Sequence, residues 1–193
     1  MSDKLALLLQ SRYRGNRARI VHVKRAREGA IMICPFVACT PVVVACLLDA
    51  ANLQPGDNCL DLGCGDGAIC VGVANLHIAD VNITGYEIDH VLCDVARRRC
   101  VTFTCVKIEQ RAIEDVANEF LSMANVIFVF LTPSCLRVLS TKFRCLTLGT
   151  RIVCYKYPLS QEWVPTKVFE TEDILSNRPA QVFHYVNDGC HRN

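Results

Sequence analysis

No two of the chain's 13 cysteines stand at C-x-x-C spacing, and their number is odd. That absence removes the ligand pattern of zinc and thioredoxin-like sites and argues against a disulfide framework. Six of them (Cys46, Cys59, Cys70, Cys93, Cys105 and Cys154) lie inside apolar runs, where a free thiol behaves as a small buried hydrophobe. They read as reduced core residues of an intracellular protein. Cys190-His191 is the one Cys-His neighbour pair, and with no third ligand beside it no metal site is assigned. Internal repeats and low-complexity segments are absent. No secretory signal is read, because no clean apolar stretch with a small-residue cleavage site follows the first residues. Excess charge is scarce too: 21 Lys+Arg against 19 Asp+Glu leave a formal +2, which excludes a surface that is basic throughout. With 51% hydrophobic and 21% charged residues over 193 positions, wholesale disorder is excluded, and there is room for one domain but not two.

The charge that is unbalanced sits at one end. Residues 1–29 carry 8 basic and 2 acidic side chains, leaving 13 basic and 17 acidic for the rest. We read 1–29 as a basic N-terminal extension and 30–193 as the domain. Arg12, Arg14, Arg17, Arg19, Lys24, Arg25 and Arg27 interleave with Tyr13, Ile20, Val21 and Val23. A solvated arm, a contact to an anionic surface such as nucleic acid, and a mitochondrial presequence all suit this pattern, although Asp3 argues against the last. Ala30 to Leu48 is 19 residues without a charge, long enough to raise a membrane span. Pro35 and Pro41 divide it, however, and Thr40-Pro41 reads as an N-cap followed by proline at the first helical position. A buried helix from Val42 to about Ala51 is expected, and no transmembrane span.

Beyond residue 56 the pattern is regular. Strands are expected at Asn58–Leu62, Val81–Tyr86, Val101–Ile108, Asn125–Leu131, Arg151–Tyr155, Thr166–Glu170 and Gln181–Val186. Helices are expected at Gly67–Leu76, Asp89–Arg99, weakly at Ile113–Met123, and at Ser134–Leu146. Asp89 suits a cap, and Arg97-Arg98-Arg99 suits the negative end of a helix dipole. Alternation of strand and helix through 57–155 means a parallel α/β sheet covered on both faces, with an antiparallel finish from the last two strands.

The central motif is Asp61-Leu62-Gly63-Cys64-Gly65-Asp66-Gly67, between a strand and a helix. Glycines there let the backbone turn tightly and approach a ligand, and the following helix offers free N–H groups. Twenty residues past Gly67 stands Glu87, at a strand end, placed to accept hydrogen bonds from two ribose hydroxyls. Gly63-x-Gly65-x-x-Ala68 also fits a dinucleotide fingerprint. Asp61 decides against it, because a carboxylate before the first glycine repels a diphosphate but favours the ammonium of S-adenosyl-L-methionine. Asp66 is expected to add a second negative group to this loop.

This segment resembles motif I of class I S-adenosylmethionine-dependent methyltransferases, and Gly85-Tyr86-Glu87-Ile88-Asp89 resembles their second motif. Within that superfamily the chain is similar to the small protein-lysine N-methyltransferases that include mitochondrial enzymes acting on adenine nucleotide translocase and the ATP synthase c subunit. Pro35-Phe36-Val37-Ala38-Cys39-Thr40, Val126 to Pro133 and Arg151-Ile152-Val153 carry this closer likeness. The resemblance implies a Rossmann-like, mainly parallel seven-stranded sheet with helices on both faces and an antiparallel final strand. It implies methyl transfer to a lysine amine of a protein, in the cytoplasm or a mitochondrion. Phe36 and Thr40 would cover the methionine end of the cofactor. Asp61, Gly63, Gly65 and Gly67 would form the aminocarboxylate loop, Glu87 would hold the ribose and Ile88 would lie against the adenine. The family's acid after the third strand is missing from Gln110-Arg111-Ala112-Ile113, so the Ile113 N–H, Glu114 or Asp115 would serve the adenine. Ala38 stands where the family prefers proline.

A lysine acceptor must arrive as the neutral amine, against a reference pKa of about 10.4, so its pocket should desolvate it. Leu131-Thr132-Pro133-Ser134 follows the fourth strand, where nucleic-acid amino methyltransferases place Asn/Asp-Pro-Pro-Tyr. Methylation of an exocyclic base nitrogen is therefore disfavoured. Thr132 and Ser134 read first as turn and cap residues and second as acceptor contacts. His77 and His90 are read as surface residues near helix ends, Trp163 as packing or as an acceptor wall, and no catalytic base is assigned. Other readings are methylation of RNA or a small molecule, with the basic arm as phosphate contact, and a non-catalytic methyltransferase-like binding partner.

Overall fold

The computed structural model describes residues 34–174 and 178–189. The basic arm and Cys190-His191 lie outside them. Residues 34–40 form an extended strap that leads into helix α1 (Pro41–Ala51). Thr40 caps α1 with Oγ1 accepting the Val43 N–H at 3.3 Å, and Pro41 takes the first turn, as the Thr-Pro pair predicts. Among the described residues no helix is long and apolar enough to cross a membrane.

Seven strands follow: β1 (Asn58–Leu62), β2 (Asn82–Glu87), β3 (Val106–Gln110), β4 (Val126–Val129), β5 (Arg151–Tyr155), β6 (Lys167–Glu172) and β7 (Pro179–Val186). Between them lie α2 (Ala68–Ala74), α3 (His90–Cys100), α4 (Asn118–Ser122) and α5 (Pro133–Lys142). The strand order is β3-β2-β1-β4-β5-β7-β6, parallel from β3 to β5, with β7 antiparallel to both β5 and β6. The central strands are buried on both faces, which is why they read as unbroken apolar runs rather than alternating ones.

Two segments differ most from the sequence reading, while β4 is shorter than the expected Asn125–Leu131 and α5 passes into a 3₁₀ turn (Phe143–Cys145) short of the expected Leu146. The strand expected over Val101–Ile108 begins only at Val106, because α3 runs to Cys100 and a turn follows, closed by the Phe103 N–H on the Cys100 carbonyl at 2.9 Å. The weak helix expected over Ile113–Met123 is two pieces, a 3₁₀ turn at Ile113–Asp115 and the short α4, because the fully buried Val116 between them is extended.

The sheet divides the core in two. On one face α1 and α2 pack Val43, Leu47 and Val73 against Phe128 and Val153. On the other, α5 packs Leu136 and Leu139 against Ile127 and Ile152. Trp163 is buried there, edge-on to Phe143 at 6.3 Å and to Tyr185 at 6.4 Å, so it packs the core. Arg151, at the start of β5, joins three elements: its Nη2 meets both Asp57 oxygens at 2.6 Å and its Nη1 the Ala51 carbonyl at 3.0 Å. The twelve described cysteines are free thiols, eight of them buried, with Cys46 and Cys105 only half-buried.

Candidate functional site

β1 pairs with β2 on one side and β4 on the other, so the chain leaves β1 at a topological switch point where a crevice opens beyond the carboxyl ends of the strands. A cleft of about 990 Å³, counting the solvent at its mouth, lies there. Phe36, Asp61, Gly63, Gly65, Glu87, Ile88 and Ile113 all line it, although they come from four separate parts of the chain. Thr40 and Gly67 are not among its lining residues. Thr40 donates its hydroxyl to Glu172 Oε1 at 3.1 Å while capping α1. Gly67 opens α2 with a left-handed φ of 78°, and a Cβ there would press against Ala96 of α3 at 3.1 Å. Its role in the structure is to let two helices approach.

The loop is shaped by strand β2. The Gly63 and Cys64 N–H groups both donate to the Tyr86 carbonyl at 2.9 Å. Gly65 has φ 53°, and a Cβ on it would collide with the ring of Phe36, which the strap lays across the loop. The left-handed backbone and this close approach together favour glycine at the position.

Glu87, the last residue of β2, is 8% exposed. One oxygen accepts the Gly65 N–H at 2.9 Å, and the other accepts those of Ile88 at 2.8 Å and Asp89 at 2.9 Å. Burial pushes its pKa up, and these three amides oppose the shift. The carboxylate is thus fixed in orientation, with lone pairs left for a ligand. Asp61 is 2% exposed and receives the Cys70 thiol at 3.7 Å. Burial raises its pKa to about 7, with Glu87 and Asp66 adding to the rise. A positive group set beside Asp61 would restore its charge, so the site fits a ligand with an ammonium.

Asp66 has a partner that the sequence reading did not include. It lies on the cleft and its charge bears on Asp61, as expected, but its carboxylate also pairs with Arg99 of α3, which donates to the Asp66 carbonyl at 2.9 Å. A pair 33 residues apart in sequence gives no local signal.

Ile88, Ala112, Ile113 and Glu114 line the cleft together, while Asp115 is exposed and not among its lining residues. Cys34, Phe130, Leu131 and Cys135 line the cleft as well. The sequence reading did not single these out as site residues; their signal is position, since Phe130 and Leu131 directly follow β4 at the same edge as Glu87. Thr132 and Ser134 hydrogen-bond each other at 3.0 Å at the start of α5, outside the lining. His77 and His90 are both exposed, one after α2 and one opening α3.

Fold and cleft define an S-adenosyl-L-methionine-dependent methyltransferase of the Rossmann-like class. The chain belongs to the ANTKMT methyltransferase domain family, which matches residues 61–167. It is 30% identical over 156 residues to a protein-lysine N-methyltransferase of Saccharolobus islandicus, covering 77% of this chain and 92% of that protein. It is similar to the crystal structure of an RNA methyltransferase from Salinibacter ruber in complex with S-adenosyl-L-homocysteine. The TM-score is 0.69 at 26% identity, over 79% of this chain and 94% of that one. The N-methyltransferase NodS of Bradyrhizobium japonicum shares the fold, with a TM-score of 0.62 at 12% identity, over 75% of this chain and 94% of that one.

Proposed function

We propose that the protein transfers a methyl group to the side-chain amine of a protein lysine, and that residues 30–193 form the catalytic domain while 1–29 are an extension of it. The observation that carries this reading is the cleft itself. It combines a clamped acid and a buried, ammonium-seeking acid with apolar lining from Phe36, Phe130 and Leu131 that is suited to stripping water from an amine. The lysine-specific relative and the lack of an Asn/Asp-Pro-Pro-Tyr clamp at Leu131–Ser134 support the acceptor class.

In this reading Glu87 holds the ribose hydroxyls, and Asp61 with Gly63 and Gly65 receives the aminocarboxylate. Ile88 and Ile113 enclose the adenine. Phe36 covers the methionine end, Thr40 fixes the strap that carries it, and Gly67 supports the loop from behind. When bound, the cofactor supplies a methyl group activated by its sulfonium, and the protein's part is alignment and exclusion of water. The free thiols fit a reducing compartment, cytoplasmic or mitochondrial.

The test is incubation with methyl-labelled cofactor and a heat-treated cell extract. We expect label that resists ribonuclease, is released by protease and hydrolyses to methyl-lysine. Label released by ribonuclease would replace this reading with RNA methylation, to which the Salinibacter structure and the basic arm correspond.

A further inference from the structure

Lys142 ends α5, yet its ammonium reaches the turn that follows β3. Its Nζ donates to the Glu114 carbonyl at 2.7 Å and to the Ile113 carbonyl at 3.4 Å. The lysine is half-buried, and among the described residues its hydrogen bonds go to these two backbone carbonyls rather than to a carboxylate. The turn it grips is a three-residue 3₁₀ helix without a side-chain cap. So short a helix cannot hold its own shape, because its few backbone bonds do not repay the ordering of the chain. This same turn is the base-side wall of the cleft, through Ala112, Ile113 and Glu114. Ala112 has no polar side-chain atom, so the one polar side chain in this wall is the Glu114 carboxylate, and the Ile113 N–H lies beside it in the turn.

We propose that Lys142 is a positioning residue for the base of the cofactor: its ammonium fixes the Ile113–Glu114 turn so that the amide and the carboxylate meet the adenine edge, replacing the acid absent at Ala112. The inference rests on the cofactor placement proposed above. An amide donor suits adenine N1 and a carboxylate suits the N6 amino group. Hypoxanthine, with a donor at N1 and a carbonyl at C6, mismatches both.

The experiment is calorimetric titration of the full chain with S-adenosyl-L-homocysteine and with S-inosyl-L-homocysteine. Wild type prefers the adenosyl ligand. Lys142→Met lowers that preference about tenfold or more, the worth of one charge-assisted hydrogen bond, and Lys142→Arg keeps most of it. A preference unchanged in Lys142→Met, or equal weakening of both ligands, overturns the proposal, since a merely structural lysine would act on both alike. If Lys142→Met shows no cooperative melting transition, Glu114→Gln decides, and retention of full preference there overturns it equally. Wild type that binds neither ligand refutes the cofactor placement itself, and the inference with it.

Discussion

Asp61 and Glu87 are buried acids with raised pKa values, but they are supported differently. Glu87 has three backbone N–H donors; Asp61 has a thiol. Glu87 is therefore preorganised as a charged acceptor, whereas Asp61 at about 7 waits for a positive partner. Its stability contribution follows in sign. A carboxyl whose folded-state pKa lies above 3.8 costs stability as pH rises from there to about 7, because the unfolded chain ionises freely in that range while burial keeps the folded carboxyl protonated. We predict that Asp61→Asn raises the melting temperature at pH 8 and abolishes adenosyl-ligand binding, checked by thermal melts and titration on one sample. In wild type, affinity for S-adenosyl-L-homocysteine weakens below pH 7, by up to about tenfold per unit, because binding must then displace a proton. Affinity that is flat from pH 5.5 to 8 contradicts this.

Elements hold these residues in place through their ends. Asp89 caps α3 by accepting the Val91 and Leu92 N–H groups at 2.7 and 3.2 Å, and Thr40 caps α1. Removing either cap with alanine is expected to cost about 1 kcal/mol, read from denaturant midpoints. The strap and the loop are coupled, since the Phe36 ring occupies the space that a side chain on Gly65 would need. Gly65→Ala should lose adenosyl-ligand affinity, and adding Phe36→Ala should cost less than it does alone, a coupling that a double-mutant cycle measures directly. Caps, short apolar strands and the glycine loop were legible in the sequence because each is a local pattern. The Asp66–Arg99 pair, Phe36 over Gly65, and Lys142 on the Ile113–Glu114 turn were not, because each joins segments that only the fold brings together. The late start of β3 and the break before α4 escaped for a related reason: burial of Val116 and the length of α3 override local propensity there.

Across the molecule, the cleft depends on a sheet whose opposite edge is stitched shut. Arg151 ties the end of α1 to Asp57 ahead of β1 and to β5, with 16% of the arginine and 8% of the aspartate side chain exposed. Asp57→Ala leaves that guanidinium without its counter-charge and should destabilise the fold by about 3–5 kcal/mol. The adenosyl-ligand affinity of the folded fraction is unchanged, because the pair lies at the far end of the strands from Glu87. Chemical denaturation with titration of the same variant checks both parts.

The central claim, that this cleft binds S-adenosyl-L-methionine through its glycine loop and Glu87, is tested most directly by calorimetric titration with S-adenosyl-L-homocysteine, with NAD and Glu87→Ala in parallel. The account predicts micromolar binding of the adenosyl ligand, lost in Glu87→Ala and absent for NAD. A folded wild-type sample that binds no adenosyl ligand, or a Glu87→Ala variant that binds it as well as wild type, would contradict the account.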